Sequence, residues 1–140
     1  MHLVTGKVAL CTGSGSPIGI GSSILRHLAS QGYRVIVSDI GEDSSRQGNG
    51  KPTEAMESVA ASIRSDGGEC IIIPCDVRDP KQVKSLFDQA VSAYGQIDLL
   101  INNAGIGYLM RPFIDVPVDE WQMVLDVNLT GTFLCTQEAT

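Results

Sequence analysis

Short apolar runs and amphipathic segments alternate from one end of the sequence to the other. Val8 to Cys11, Val35 to Val37, Ile71 to Ile73 and Leu99 to Ile101 are continuous apolar runs, closed by Thr12-Gly13, Ser38-Asp39, Pro74 and Asn102-Asn103. Runs of this length without polar alternation predict strands buried on both faces, as in a parallel sheet. Between them, Ile20, Ile24, Leu25 and Leu28 recur at helical spacing, as do Met56, Val59, Ala60 and Ile63, and then Val83, Leu86, Phe87, Ala90, Val91 and Tyr94. Each set makes one apolar helix face. A fourth helical region runs from Val118 to Thr140, with Trp121 and Phe133 read as core. Asp79-Pro80 supplies an N-cap and a proline at the first helical position, while Gly32, Gly67 and Gly95 stand where helices should stop. The stretch 41–53, rich in Gly and Ser, reads as a mobile surface loop after the second strand.

Strict strand–helix alternation predicts an α/β, doubly wound parallel sheet, with right-handed crossovers and its ligand site at the carboxyl ends of the strands. The chain of 140 residues, 43% hydrophobic and 19% charged, is long enough to bury a core as one domain, 1–140. A formal charge of −6, with ten scattered Lys and Arg, argues against nucleic acid and against an anionic membrane. Cys11, Cys70, Cys75 and Cys135 form no C-x-x-C pair, which reads as four reduced thiols in a cytoplasmic protein, a disulfide being the lesser alternative. No apolar segment suits a signal peptide or a membrane span.

The chemistry gathers at the expected strand ends. Thr12-Gly13-Ser14-Gly15-Ser16-Pro17-Ile18-Gly19-Ile20-Gly21 lies between the first strand and the first helix. Glycines there let the backbone approach a pyrophosphate, whose charge is met by helix N-terminal amides. Tight strand-to-helix turns also use glycine for conformation alone. Asp39 tilts the reading toward a dinucleotide, because it ends the next strand 18 residues beyond Gly21, close to the spacing of about 20 at which a carboxylate meets the adenine ribose hydroxyls.

Taken with Asp76-Val77 and Asn102-Asn103-Ala104-Gly105, these residues resemble the short-chain dehydrogenase/reductase family over the whole chain from Lys7 onward. The resemblance implies a Rossmann-like fold and a nicotinamide dinucleotide cofactor. It implies that Gly13, Gly19, Ile20 and Gly21 line the pyrophosphate, with Ser14 and Ser16 among the cofactor-binding residues, and that Asp39 holds the ribose. By the same resemblance Asp76 and Val77 meet the adenine, while Asn102, Ala104 and Gly105 flank the nicotinamide ribose. The glycine loop departs from the family motif T-G-x-x-x-G-x-G by two extra residues between Gly13 and Gly19, and Pro17 within it has no N–H to offer a phosphate. Which amides from Ser14 to Ile18 reach the cofactor is left open.

Asp39 favours NAD over NADP. A carboxylate about 4 Å from a 2′-phosphate would be repelled by roughly 4 kcal/mol per unit charge at an effective dielectric of 20. No Arg or Lys lies in the glycine loop or directly after Asp39, and Arg46 is the cation that could swing in.

Asn128 shares a helical stripe with Trp121, Val124, Leu125, Leu129 and Thr132, which reads either as a core amide bonded to neighbouring backbone or as a functional group. By resemblance Val127-Asn128-Leu129 carries the family's catalytic Asn, which kinks the helix and holds a water in a proton relay. Asp98 matches a mainly structural residue. His2 and His27 have no partners suggesting catalysis, and no metal site is expected.

The family's Ser, and its Tyr with Lys four places on, should come after the Asn, yet no Ser follows Ser92, no Lys follows Lys84 and no Tyr follows Tyr108. The sheet is therefore expected to be truncated after its fourth strand and the helix beyond it. A C-terminally incomplete dehydrogenase for an alcohol or ketone substrate, inactive by itself, is the reading preferred. A short NAD-binding or regulatory module and another nucleotide-binding fold such as a methyltransferase are the alternatives. An open edge on the fourth strand would be an association hazard and leaves a homo-oligomer open.

Overall fold

The computed structural model describes residues 5–42, 49–107 and 110–140. His2, Arg46 and Tyr108 lie outside the described residues. The four strands are β1 (Val8–Cys11), β2 (Arg34–Val37), β3 (Glu69–Ile72) and β4 (Leu99–Ile101), all parallel in the order β3-β2-β1-β4. β1 and β2 pair with Leu10 beside Ile36, and β1 and β4 with Leu10 beside Leu100. The strand order reverses at β1, so the carboxyl ends of β1 and β4 form the switch point at which such sheets bind ligands. β4 pairs on one side only among the described strands, as expected.

The three helical faces before β4 form where the spacing places them. These are α1 (Ile20–Ser30), α2 (Glu54–Ser65) and α3 (Pro80–Tyr94). The Asp79 carboxylate accepts the Lys81 amide at 2.8 Å and so caps α3, and Gly95 ends that helix at φ +83°. Strand alternation splits the core in two. Val8, Leu10 and Ile36 pack with α3 on one face, while Ala9, Cys11, Val35 and Val37 pack with Leu25 of α1 and with Met56, Val59, Ala60 and Ile63 of α2 on the other. Ile20 and Val91, expected on the buried faces, are instead 76% and 47% exposed, since both lie at the margin of their stripes.

The last region is helical over nearly the expected span and irregular at Asn128, where the resemblance implies a kink: α4 (Val118–Leu125), a π-helical turn (Asp126–Thr130) and α5 (Gly131–Glu138) follow one another without a break, preceded by a 3-10 turn at Phe113–Asp115. A π turn inserts one residue into the helical ladder and rotates the helix beyond it, which breaks the apolar stripe at Asn128. Trp121 and Phe133 are not core. They stand 45% and 60% exposed because among the described residues nothing packs over that side of the helices. The loop at 41–53 is also tied at both described ends. Glu42 and Lys51 exchange backbone hydrogen bonds of 2.9 Å, and the Asn49 amide donates to the Gln82 carbonyl at 2.9 Å. All four cysteines are free and buried.

Candidate functional site

The β1–α1 turn is built by hydrogen bonds that also dictate its glycines. Thr12 Oγ1 accepts the amides of Asn103 and Ala104 at 3.2 and 3.1 Å, and the Asn103 side chain donates to the Thr12 and Gly13 carbonyls at 2.9 and 2.8 Å. These bonds clamp the turn to the loop after β4. Gly13 sits at φ +64°, where a Cβ would lie 2.6 Å from the Ala104 Cα. At Gly21 a Cβ would lie 2.6 Å from Asn103 Nδ2 and 3.0 Å from the Gly13 carbonyl, so helix α1 can approach the turn only without a side chain there. The helix starts at Ile20 with Gly19 as its N-cap, which agrees with Gly19-Ile20-Gly21 as the helix-entry glycines.

The loop amides divide into two classes. Ser14 and Gly15 are engaged internally, the first with the Ser38 carbonyl at 3.0 Å and the second with Asp39 Oδ2 at 2.8 Å. The Gly19 amide donates to the Ser16 carbonyl at 3.0 Å. Those of Ser16, Ile18, Ile20, Gly21 and Ser22 have no hydrogen-bond partner among the described residues, leaving open donors at the mouth of a helix N-terminus. Ser14 does not suit the ligand role expected of it. Its hydroxyl donates to the Cys11 carbonyl at 2.7 Å and accepts the Ser38 amide at 3.1 Å, and its side chain is fully buried between β1 and β2.

A cavity of about 410 Å³ opens beside this turn. It is lined by Gly13, Ile20, Asp39, Asp76, Val77, Ala104 and Gly105, which brings together seven of the residues marked in the sequence. The Asp39 carboxylate is held by two backbone donors, Gly15 N–H on Oδ2 and its neighbour Ile40 N–H on Oδ1, both at 2.8 Å. At the far end Arg78 forks onto Asp76 through Nη2 to Oδ2 at 2.6 Å and Nε to Oδ1 at 2.9 Å. The guanidinium holds the Asp76 carboxyl below the usual carboxylate range. Burial pushes the Cys11 thiol up to about 12 and raises that of Cys75 on the cavity wall, so neither is a ready nucleophile.

Two marked residues lie outside the cavity lining. The Asn102 side chain turns away from the cavity and donates to the Thr136 hydroxyl on α5 at 3.1 Å, while its neighbour Asn103 lines the cavity. Asn128 is exposed rather than core, and both ends of its amide engage the backbone of Ile106, whose N–H meets Oδ1 and whose carbonyl meets Nδ2, each at 2.8 Å. It thereby fixes the wall at Gly105–Ile106, and the Thr132 hydroxyl donates to its carbonyl at 2.9 Å. Asp98 is a structural latch, accepting Lys7 Nζ, the Val8 amide and the Gln96 amide at 2.8 Å each. Arg78, Asn103, Gly15 and Ile106 are not among the site residues marked in the sequence. Asn103 was legible as half of a doubled Asn, whereas the others act through loop geometry that spacing does not reveal.

Comparison with known proteins gives the same assignment. A family model described as short chain dehydrogenase matches residues 7–140. The chain is 37% identical over 137 residues to elsinochrome reductase 1 of Elsinoe fawcettii, covering 96% of this chain and 45% of that protein. It is 38% identical to a 3-oxoacyl-(acyl-carrier-protein) reductase of Staphylococcus aureus, covering 96% of this chain and 49% of the relative. A crystal structure of a short-chain type dehydrogenase/reductase from Mycobacterium marinum superposes with a TM-score of 0.83 at 36% identity, covering 96% of this chain and 49% of that one. The chain thus spans about half the length of the curated relatives it matches. No helix among the described residues is long and apolar enough to cross a membrane. Fold, motif and sequence agree, and the chain belongs to the short chain dehydrogenase family.

Proposed function

We propose that this chain forms the dinucleotide-binding half of an NAD-dependent oxidoreductase that transfers hydride between nicotinamide and an alcohol or carbonyl substrate. One observation carries the reading: a carboxylate held by two backbone donors, Asp39, lines the same cavity as Gly13 and as Ile20 at the entry to α1, whose amide is open. The residues fit such a cofactor, since Gly13 and Gly21 leave backbone bare where a Cβ would collide. When bound, the nicotinamide supplies the hydride chemistry. The amides of Ser16, Ile18, Ile20 and Gly21 would meet the pyrophosphate, and Asp39 the ribose diol. Asp76 and Val77 would border the adenine, and Ala104 and Gly105 the nicotinamide ribose. Asn128 is the family's catalytic Asn by resemblance, and its clamp on Ile106 would shape the wall nearest the reacting carbon.

NAD is preferred over NADP. Arg78 is the one cation among the described residues lining the cavity, and Asp76 already neutralises it, so nothing there balances a 2′-phosphate against Asp39. Four unbridged cysteines support a cytoplasmic setting. Calorimetric titration with NAD and NADP tests the core of this reading. NAD is expected to bind at least about tenfold more tightly. Equal or tighter NADP binding overturns the preference, and binding of neither overturns the function. The 140 residues alone are expected to show no alcohol or carbonyl turnover, because no Ser, Tyr or Lys follows Asn128 to move the substrate proton.

A further inference from the structure

Arg26 lies on α1, outside the cavity lining, and joins three elements. Its Nη2 donates to the Pro17 carbonyl at 3.0 Å, Nη1 to the Ser22 hydroxyl at 3.4 Å and Nε to the Ser62 hydroxyl of α2 at 3.4 Å. Ser22 passes the contact on, its hydroxyl donating to the Gly19 carbonyl at 3.0 Å. No carboxylate forms an ion pair with Arg26 among the described residues. The guanidinium is therefore a three-way brace on the loop that carries the two extra residues.

The lengthened loop needs such a brace. Ile18 is 96% exposed and contributes no packing, and Pro17 has no N–H with which to anchor itself. The peptide linking Pro17 to Ile18 is planar and trans, so the Pro17 carbonyl and the Ile18 N–H point in opposite directions within one rigid plane. Holding the carbonyl toward Arg26 fixes the Ile18 N–H toward the other side. That amide is one of those left open in the turn.

We propose that Arg26 is a positioning residue for the phosphate loop, aiming the Ile18 amide at the pyrophosphate by anchoring the Pro17 carbonyl. The inference rests on the dinucleotide reading and assigns to the extra loop residues a donor that the shorter motif would supply differently. Arg26 itself need not touch the ligand.

The test is calorimetry of the full chain with NAD, ADP-ribose and adenosine, together with the Ile18 amide signal in nitrogen-15 NMR. Arg26→Gln should weaken ADP-ribose about tenfold and leave adenosine within about twofold. Arg26→Lys keeps the charge but not the three-way fork, and should remain at least about fivefold weaker than the unaltered chain. The Ile18 signal should move on adding ADP-ribose to the unaltered chain and move much less in Arg26→Lys. Full affinity in a folded Arg26→Gln, or full affinity in Arg26→Lys, overturns the positioning role, the latter leaving charge alone as the effect. An Ile18 amide in the unaltered chain that ignores ADP-ribose overturns it too. Should Arg26→Gln fail to fold, Arg26→Lys decides the matter. An unaltered chain that binds none of the three ligands defeats the dinucleotide reading itself, before any variant is compared.

Discussion

The helices that cover the front of the chain and those beyond β4 are similarly apolar by pattern, yet they end in different environments. α2 buries Met56, Val59, Ala60 and Ile63 against β1 and β2, whereas α4 buries no residue at all. Around α4 and α5, Phe113, Ile114, Val118, Leu129 and Phe133 stand 60% exposed or more. Periodicity states which face of a helix is apolar. It does not state whether the same 140 residues supply a surface to cover it. Only the inner side of the second region finds a partner, where Gly131 and Cys135 are buried and a Cβ on Gly131 would lie 2.6 Å from Val77. That contact is enough to bring the π turn to the cavity, so a thinly packed region still shapes the site.

The contrast can be broken most severely in the first region. Leu10→Ala removes a fully buried side chain of the central strand and is expected to cost about 4 kcal/mol in urea unfolding. Gly13→Ala should come next at about 3 kcal/mol, through the left-handed backbone and the collision with Ala104, and should abolish NAD binding along with it. At Asn128 the change to Ala should cost about 1 kcal/mol, as the Ile106 amide and carbonyl lose their partner but remain open to water. Leu129→Ala, in the exposed region, should lie within about 0.5 kcal/mol of the unaltered chain. A cost at Leu129 that rivals Leu10 would show the second region to be packed in solution.

Acid provides a finer probe. Asp76 and Asp98 are held below the usual carboxylate range, the first mainly by its hydrogen bond from Arg78 and the second mainly by that from Lys7. The folded chain therefore binds fewer protons than the unfolded chain in that range, and both contributions are present above about pH 4 and are lost as pH falls further. Arg78→Gln should move the acid-unfolding midpoint to higher pH, by less than about one unit because Arg78 is substantially exposed. An unmoved midpoint would remove Arg78 from the account of Asp76.

Much of the site was legible because its residues are consequences of local chemistry. The end of a buried strand, a glycine-rich turn and a carboxylate at the next strand end can all be read along the chain, and Gly13, Asp39, Asp76 and Ala104 do line one cavity. Ser14 and Asn102 could not be resolved this way, since both have the side chains of ligands and only the fold turns them toward Ser38 and Thr136. Arg26 was invisible for the converse reason. It lies outside the motif and acts through a carbonyl nine residues away.

Strand and helix order, the parallel sheet and the place of the candidate site are determined by the sequence alone, because apolar period and turn residues are local properties and the switch point is set by topology. Tertiary structure alone decided which loop amides remain open, that Asn128 lies on a π turn and clamps Ile106, and that Trp121 and Phe133 face outward. Each of these depends on how residues far apart in the chain share hydrogen-bond partners or cover, and no local pattern records that.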